Sequence, residues 1–285
     1  MGKLLVCVDG SAYADNICAN AAWAAQRLGA KLDVLHVLRR HSDYEAPSNH
    51  TGSIGVGARS GLLEELTKVD EERGRLDQQK GQIILDHAKE VLLESGVSED
   101  DINILYRRGP LVDTILEAED DDELVFIGKR GEHANEGSEF LGSNLEKVAR
   151  AVNKPLFLVS SVARPIKKFL IAYDGKDSVR KAIDYVTAQP LLKGLECHLL
   201  TAEHKQGDID ATKTLARLKE AGFDVTFSSV QSSHPDQVIS EYVGKNEIDM
   251  LVTGAYSHSR IRSLFLGSTT ASLIKSCHVP LLMFR

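Results

Sequence analysis

The chain of 285 residues carries the same series of short segments twice, and this internal repeat restricts the fold more than any other feature of the sequence. Each segment of the first series returns in the second, in the same order and at comparable spacing. The paired segments are Lys3–Ser11 with Lys168–Lys176, Leu124–Gly131 with Met250–Ser257, Leu141–Ser143 with Leu266–Ser268, and Lys154–Val159 with Val279–Phe284. The repeat predicts a duplicated domain, with residues 1–162 as the first copy and residues 166–285 as the second.

Within each copy, short apolar runs alternate with helical patterns. This alternation is typical of βαβ units and predicts an α/β fold class, with a mainly parallel five-stranded sheet flanked by helices in each copy. The expected strands lie near residues 3–8, 32–38, 102–107, 123–128 and 155–159, and near residues 168–173, 196–201, 224–230, 249–253 and 280–284. The expected helices lie near residues 12–29, 62–95, 110–119 and 143–152, and near residues 176–192, 208–221, 235–244 and 268–276.

The two copies differ most after the second strand. The first copy has an insertion at residues 41–61, rich in Ser, Gly, Asn and His, and then a long polar helix that Gly74 and Gly81 are expected to interrupt. The insertion is expected to be a mobile loop, either a tolerated surface segment or a lid or partner contact. The run Glu119–Glu123 is expected to be a solvated acidic turn rather than a cation site.

In the second copy a strand ending at Gly254 is followed by a loop of small residues and by Gly267, which opens a helix. A strand end that faces a helix N-terminus offers free backbone N–H groups and the positive end of the helix dipole. Together these can hold a phosphate. Turn geometry and close packing are the alternative reasons for the glycines.

Other candidate residues follow from the position of the strands. In open α/β sheets, ligands lie beyond the carboxyl ends of the strands, where the strand order reverses. Asp9 and Asp174 follow the first strands, where a carboxylate can accept hydrogen bonds from ribose hydroxyls, or can form a local turn or cap instead. Val37 and Thr201 end the second strands, where a small residue leaves backbone groups free to bind an adenine edge.

Charge distinguishes the copies. No acidic residue lies between Gly254 and Arg285, whereas the first loop carries glutamates at 132, 136 and 139 in addition to Lys129 and Arg130. The pattern Ser143-Asn-Leu-Glu146 also fits a capping box that would occupy the helix start itself. We therefore expect a nucleotide in the second copy and a degraded or retuned site in the first.

The predicted nucleotide contacts fall into two sets. In the second copy they are Tyr173, Asp174, Thr201, Gly254, Ser257, Arg260, Arg262, Gly267, Ser268 and Thr269. In the first copy they are Val8, Asp9, Val37, Gly128, Gly131, Gly142 and Ser143.

Composition excludes several other classes of protein. The net charge of -7 argues against a nucleic-acid or anionic-membrane coat, and no run of apolar residues is long enough to span a membrane. The N-terminal apolar run is too short for a signal peptide. The four cysteines form no C-x-x-C pair and are expected to be unpaired core thiols, consistent with a reducing cytoplasm, and the histidines have no zinc-binding spacing.

These motifs resemble the universal stress protein (UspA) family, and the whole chain resembles its tandem members. Its ATP-binding members share G-x2-G-x9-G-[ST]; the second copy has Ser257 in place of the second glycine, and the first has ten residues between its second and third glycines. The resemblance implies two Rossmann-like domains of the adenine nucleotide alpha hydrolase type, paired through their last strands. It also implies a cytoplasmic stress-response protein, and within the family some relatives bind ATP or AMP and others bind neither.

The function expected is therefore regulatory. ATP or a related adenine nucleotide, with or without Mg²⁺, would stabilise one conformation, and any hydrolysis would be slow because no catalytic base is identifiable. The alternative is an interaction module of the same fold that binds no nucleotide. The last strands are expected to pair within the chain or between two chains, and any partner proteins are unknown.

Overall fold

In the part of the chain that the structure describes, ten strands form one sheet. This computed structural model describes residues 2–38, 56–119, 123–131, 143–162, 164–203, 207, 209–255 and 268–285, with only the backbone of residues 56–66, 143 and 268. The strands are β1 Lys3–Cys7, β2 Lys31–Leu38, β3 Ile102–Arg108, β4 Leu124–Gly128, β5 Leu156–Val159, β6 Lys168–Ala172, β7 Glu196–Glu203, β8 Val225–Gln231, β9 Met250–Gly254 and β10 Leu281–Phe284. Their order across the sheet is β3-β2-β1-β4-β5-β10-β9-β6-β7-β8.

Helices cover both faces of the sheet. They are α1 Ala14–Leu28, α2 Val56–Glu94, α3 Leu111–Ala118, α4 Ser143–Ala151, α5 Asp177–Ala188, α6 Thr212–Glu220, α7 Pro235–Lys245 and α8 Ser268–Ser276. Short 3₁₀ turns add Glu99–Asp101 and Pro190–Leu192. The predicted α/β fold class is confirmed, because helices connect successive parallel strands in both halves of the chain.

The apolar runs form strands because both faces of this sheet are covered. Along β1, Leu4 and Val6 pack into the core on one face, while Leu5 and Cys7 pack into the core on the other. The same alternation extends through the central strands, so each strand contributes to two cores. The four cysteines are buried and unpaired, as predicted.

The two halves join through their last strands. β10 runs antiparallel to β5, with Leu282 opposite Phe157, whereas all the other strand pairs are parallel. Phe157 and Leu282 occupy the same place in the repeat, so an approximate two-fold axis passes between them. The sequence left open whether the last strands pair within one chain or between two, and the structure shows pairing within the chain. Among the described strands, β3 and β8 are then the edges of the sheet.

Further contacts fix the halves against each other. Arg27 of α1 donates to the carbonyl oxygens of Leu191 and Lys193 at the end of the second half's 3₁₀ turn, and its guanidinium lies 5.6 Å from the centre of the Trp23 ring. Asn16 donates to the carbonyl oxygen of Ser161, at 2.6 Å, in the segment that connects the halves. The division into domains at 162 and 166 stays a prediction.

The prediction of an interrupted helix after the insertion is wrong. α2 is continuous through Gly74 and Gly81, and it begins at Val56, so the end of the 41–61 insertion is helical. A Cβ on Gly81 would lie 2.6 Å from Cε2 of Tyr106, so this glycine allows α2 to approach the sheet closely. Residues 39–55 lie outside the described part of the chain.

Glu119, the first residue of the acidic run, does not lie in a solvated turn as predicted. Glu119 is buried, and its Oε1 accepts hydrogen bonds from the backbone N–H and the side-chain amide of Asn153 at 3.2 and 3.3 Å. Residues 120–122 lie outside the described residues. Among those described, no group of His, Cys, Asp and Glu is arranged to hold a metal ion, and no helix is long and apolar enough to cross a membrane.

Candidate functional site

The candidate residues gather at two equivalent points of the sheet. β1 lies between β2 and β4, and β6 lies between β7 and β9, so the strand order reverses there in each half. Asp9 and Asp174 follow β1 and β6, while Gly128 and Gly254 end the neighbouring parallel strands β4 and β9. The carboxyl ends of these strands lie on the same side, which brings each aspartate close to a glycine turn.

In the first half the second glycine of the turn lies against the aspartate. A Cβ on Gly131 would be 3.0 Å from Oδ2 of Asp9, while Oδ1 of Asp9 accepts the backbone N–H of Ser11 at 3.1 Å. Gly128 is equally close-packed, because a Cβ there would lie 3.2 Å from Cβ of Tyr13. Close packing therefore explains why both positions are glycine. A side chain at position 131 would fill the space beside Asp9.

Lys129 does not face this turn. Its Nζ donates to the carbonyl oxygens of Cys277 and Val279, just beyond the end of α8, at 2.6 and 2.7 Å. The side chain is buried, and burial lowers the pKa of Lys129 to about 7. The sequence suggested that Lys129 adds positive charge to the first loop, but its side chain instead joins the two halves.

In the second half, β9 and α8 meet as the sequence predicted. Oγ1 of Thr270, in the first turn of α8, donates to the carbonyl oxygen of Gly254 at 3.2 Å. A Cβ on Gly254 would lie 2.9 Å from Cβ of Ser178 and 3.1 Å from the backbone nitrogen of Val179, so the strand end also packs on the start of α5. The N-termini of α5 and α8 thus lie on either side of one glycine.

Asp174 is held by its own loop. Its Oδ1 accepts the backbone N–H of Lys176 at 3.1 Å, and its Oδ2 lies 3.2 Å from Nζ of the same lysine. The preceding Tyr173 is buried, with its backbone N–H donating to the carbonyl oxygen of Leu200. A ribose hydroxyl approaching Asp174 would share the carboxylate with Lys176, which adds a positive charge to this edge.

The structure corrects the pairing of Val37 with Thr201. Val8 donates to the carbonyl oxygen of Leu35, and Tyr173 donates to that of Leu200, so Leu35 and Leu200 are equivalent. Val37, two residues beyond Leu35, is therefore equivalent to Ala202. Thr201 is fully buried, and its hydroxyl donates to Oε1 of Glu203 at 2.9 Å. Whether Thr201 contacts a nucleotide stays a prediction, but its hydroxyl has a partner within the protein.

Glu203 is a residue that the sequence reasoning missed. Its Oε1 also accepts the hydroxyl of Ser229 at 3.2 Å, and its Oε2 accepts the backbone N–H of Ile209 at 3.3 Å. Desolvation raises the pKa of this carboxyl, but the hydrogen bonds outweigh it and hold the pKa below the usual range. The carboxylate thus fixes the chain that follows β7, beside the predicted nucleoside position. A glutamate directly after the run Leu-Leu-Thr-Ala was the available signal.

Several predicted contacts lie outside the described residues. They are Ser257, Arg260, Arg262, Gly267 and Gly142, together with the side chains of Ser143 and Ser268. The glutamates of the first loop lie outside as well. Glu146 of the predicted capping box is described, and it pairs with Arg150 one turn further along α4.

The fold and these turns define a class of protein: a tandem, doubly wound α/β chain with a potential ligand crevice at the switch point of each half. The sequence model of the universal stress protein family matches residues 1–160 and 198–285. The chain therefore belongs to the universal stress protein family, as its motifs suggested.

A relative that matches the whole chain supports this assignment. The universal stress protein Slr1230 of Synechocystis sp. is 33% identical over 290 residues, which covers 100% of both chains. A universal stress protein of Archaeoglobus fulgidus has the same fold, with a TM-score of 0.67 at 18% identity over 99% of this chain and 98% of that one. Another Archaeoglobus fulgidus structure, a universal stress protein in complex with dAMP, overlaps 42% of this chain and 98% of its own, with 11% identity and a TM-score of 0.33.

Proposed function

We propose that the chain is a regulatory protein that binds an adenine nucleotide, with ATP or AMP as the preferred ligand, in its second half. The observation that carries the proposal is the hydrogen bond from Thr270 to the carbonyl oxygen of Gly254. It holds the start of α8 against the end of β9, so that N–H groups of the helix start and of the glycine turn can converge on one anion.

Charge supports the choice of the second half. The sequence from Gly254 to Arg285 holds Arg260, Arg262 and Lys275 and no acidic residue. Two like charges about 4 Å apart repel by about 1 kcal/mol in water and by several-fold more when partly desolvated. The three loop glutamates of the first half would therefore oppose a triphosphate. Lys129 does not offset them, because its Nζ donates to the carbonyl oxygens of Cys277 and Val279 in the other half.

Each part of the nucleotide has a proposed partner. The phosphates lie at Gly254, Ser257, Gly267, Ser268 and Thr269, with Arg260 and Arg262 adding positive potential. The ribose hydroxyls donate to Asp174, and the adenine edge meets the backbone at the end of β7, where Ala202 is the equivalent of Val37. The threonine and serine hydroxyls of the α8 start also suit a Mg²⁺-bound phosphate.

The proposed role is binding rather than turnover. Asp174 is paired with Lys176 and Glu203 with Thr201 and Ser229, so neither carboxylate is poised to take a proton from water at the phosphates. Nucleotide occupancy would instead stabilise α8, whose far end contacts Lys129 of the first half.

Bound nucleotide is the direct test. Purified protein is denatured and the supernatant analysed by mass spectrometry, and the stripped protein is then titrated with ATP and AMP by calorimetry. We expect one site per chain. Gly267→Asp should abolish it, because the new carboxylate would meet the phosphates, whereas the matched Gly142→Asp in the first half should leave it unchanged. No released nucleotide and no heat at millimolar ATP would refute the proposal.

A second candidate function is an interaction module that binds no nucleotide. It is favoured by the internal pairing of Asp174 with Lys176 and of Thr201 with Glu203, which satisfies two predicted nucleoside contacts within the protein. Under this alternative, Gly267→Asp changes only the free energy of unfolding, and ATP leaves the unfolding temperature of the parent protein unchanged.

A further inference from the structure

A groove between α5 and α6 in the second half has the size of a small-molecule site. Its volume is about 580 Å³, within the roughly 300–1,000 Å³ that such sites usually have. The buried residues Tyr173, Ile183 and Thr214 line it, together with exposed charged residues of the two helices. The side chain of Tyr173 belongs to the core that α5 and α6 cover, although the sequence suggested Tyr173 as a nucleotide contact.

Two hydroxyl groups at this groove have no partner. Tyr173 is 6% exposed and Thr214 is 8% exposed, and both line the groove. Neither hydroxyl makes a hydrogen bond with another residue that the structure describes. A hydroxyl that is buried in a protein usually has such a partner, because leaving it unpaired costs free energy. Both hydroxyls are therefore available to a bound molecule.

Both walls of the groove carry cations. Arg180 belongs to α5, whereas Lys213 and Arg217 belong to α6. Asp184 of α5 forms an ion pair with Arg217 and so neutralises one of the three. Arg180 and Lys213 are left on opposite walls, where two like charges repel unless an anion lies between them.

The nearby carboxylates do not cancel these two charges. Oδ1 of Asp210 accepts the backbone N–H of Thr212 at 2.9 Å and thereby supports the start of α6. Asp177 lies 3.4 Å from Arg180, but its side chain is 84% exposed and that of Arg180 is 64% exposed. An ion pair as exposed as this one contributes little.

The first half has a different arrangement at the same place. Counted on from the paired segments without a gap, Asp15 of α1 corresponds to Arg180, and Val8 corresponds to Tyr173. Oδ1 of Asp15 lies 2.7 Å from Nε2 of His87 in α2, so an acid and a base connect the two helices. The second half has exchanged the acid for an arginine and the valine for a tyrosine, which makes the groove positive and adds a hydroxyl.

We propose that this groove is a second ligand site, which binds a small organic phosphate. The phosphate oxygens accept hydrogen bonds from the hydroxyls of Tyr173 and Thr214 and from the side chains of Arg180 and Lys213. A phosphate monoester carries a charge of about −1.5 to −2 at pH 7, which suits two cations better than the single charge of a carboxylate does. Ile183 offers an apolar contact to the organic part.

Phenyl phosphate is the probe, because it joins a phosphate to an apolar ring. Calorimetric titration of the full chain should show one bound phenyl phosphate, with weaker binding as the salt concentration rises. Benzoate should bind about tenfold more weakly, and benzyl alcohol, which has no charge, should give no heat. Equal affinity for benzoate and phenyl phosphate would contradict the choice of a phosphate.

Variants assign the binding to the groove. Arg180→Gln with Lys213→Gln should raise the dissociation constant of phenyl phosphate about tenfold or more. Tyr173→Phe should raise it several-fold without lowering the unfolding free energy, because its hydroxyl has no partner in the protein. Lys219→Gln is the matched control, since this exposed residue of α6 lies outside the groove, and it should bind like the parent.

Gly267→Asp distinguishes this groove from the proposed nucleotide site. Phenyl phosphate should bind to this variant as it does to the parent, whether or not ATP binds in the second half. Loss of phenyl phosphate binding in Gly267→Asp would place the anion at the nucleotide site and overturn the proposal. So would unchanged affinity in the double glutamine variant, shown to be folded by circular dichroism, or no heat from the parent at about 10 mM phenyl phosphate.

Discussion

Nζ of Lys129, in the glycine turn of the first half, lies 2.6 Å from the carbonyl oxygen of Cys277, which follows α8 in the second half. The same nitrogen lies 2.7 Å from the carbonyl oxygen of Val279. One buried amine therefore satisfies two backbone acceptors across the seam between the halves. At the other side of the seam, Arg285 donates to the carbonyl oxygen of Arg150 in the last turn of α4. Each half thus supplies a basic side chain that donates to backbone carbonyl oxygens at the end of a helix in the other.

Replacing Lys129 by methionine should weaken the joined fold. Lys129→Met keeps most of the buried volume but leaves the carbonyl oxygens of Cys277 and Val279 without this donor, which costs about 1–3 kcal/mol of unfolding free energy. Urea denaturation measures the loss, with the exposed Lys147→Met as the control. Equal stability of the two variants at alkaline pH would contradict the structural role.

The difference in unfolding free energy between the parent and Lys129→Met should also depend on pH. Burial lowers the pKa of Lys129 to about 7 in the folded protein, whereas the unfolded value is 10.5. Between these values the unfolded chain binds more protons, so the unfolding free energy of the parent rises with pH. Relative to Lys129→Met, the parent should gain stability from pH 6 to pH 9. A difference that is constant over this range would show that the amine does not titrate there.

Gly254 should tolerate no side chain. In Gly254→Ala the new Cβ would lie 2.9 Å from Cβ of Ser178 and 3.1 Å from the nitrogen of Val179, and such overpacking costs about 1–3 kcal/mol. Gly244→Ala is the control, because nothing lies within 4 Å of a Cβ there and the helix should gain about 0.5–1 kcal/mol. Adding Ser178→Gly should recover part of the loss at 254. A Gly254→Ala protein as stable as its parent would show that the close contact can relax.

The fold could be predicted because the sequence patterns that specify its strands and helices are local and occur twice in the chain. Apolar runs between helical patterns give parallel strands, and the repeat predicts that the second half has the same order of elements as the first. The pairing of β5 with β10 stayed open, since short apolar strands such as Leu156–Val159 can pair within one chain or between two. Only the three-dimensional arrangement decides between these.

The candidate site could be predicted from the sequence less completely than the fold, for two physical reasons. The side chain period of a strand is two residues, so matching Thr201 rather than Ala202 to Val37 exchanges the faces of β7. The strand also extends to Glu203, beyond the predicted end at residue 201. Lys129 was misinterpreted because its partners, the carbonyl oxygens of Cys277 and Val279, lie about half the chain away and give no local signal.

Glu203 should hold the chain after β7 in place. Glu203→Gln removes the charge that accepts hydrogen bonds from Thr201, Ser229 and the backbone of Ile209, so stability should fall at neutral pH. Because the hydrogen bonds hold the folded pKa of Glu203 below its usual value, the advantage of the parent is present above the unfolded value of 4.5. It should disappear as the pH falls through the folded pKa. Unfolding midpoints measured from pH 3 to pH 7 check this, with the exposed Glu220→Gln as the control.

Ser257→Gly should tighten nucleotide binding in the second half. In the first half, a Cβ on Gly131 would lie 3.0 Å from Oδ2 of Asp9, and Ser257 is the repeat equivalent of Gly131. The family motif has a glycine at this position, so the side chain of Ser257 is expected to restrict the approach of phosphates to the backbone. Removing it should lower the dissociation constant of ATP about tenfold, which corresponds to about 1.4 kcal/mol.

Calorimetric titration of the Ser257→Gly variant and the parent measures the change, and Gly131→Ser provides the reverse exchange in the first half. Gly131→Ser should leave ATP binding unchanged, because the proposed ligand lies at the other turn. Tighter binding in Ser257→Gly with an unchanged Gly131→Ser assigns the nucleotide to the second half. Loss of ATP binding in Gly131→Ser would assign it to the first half instead, where Asp9 faces the glycine that the family motif requires.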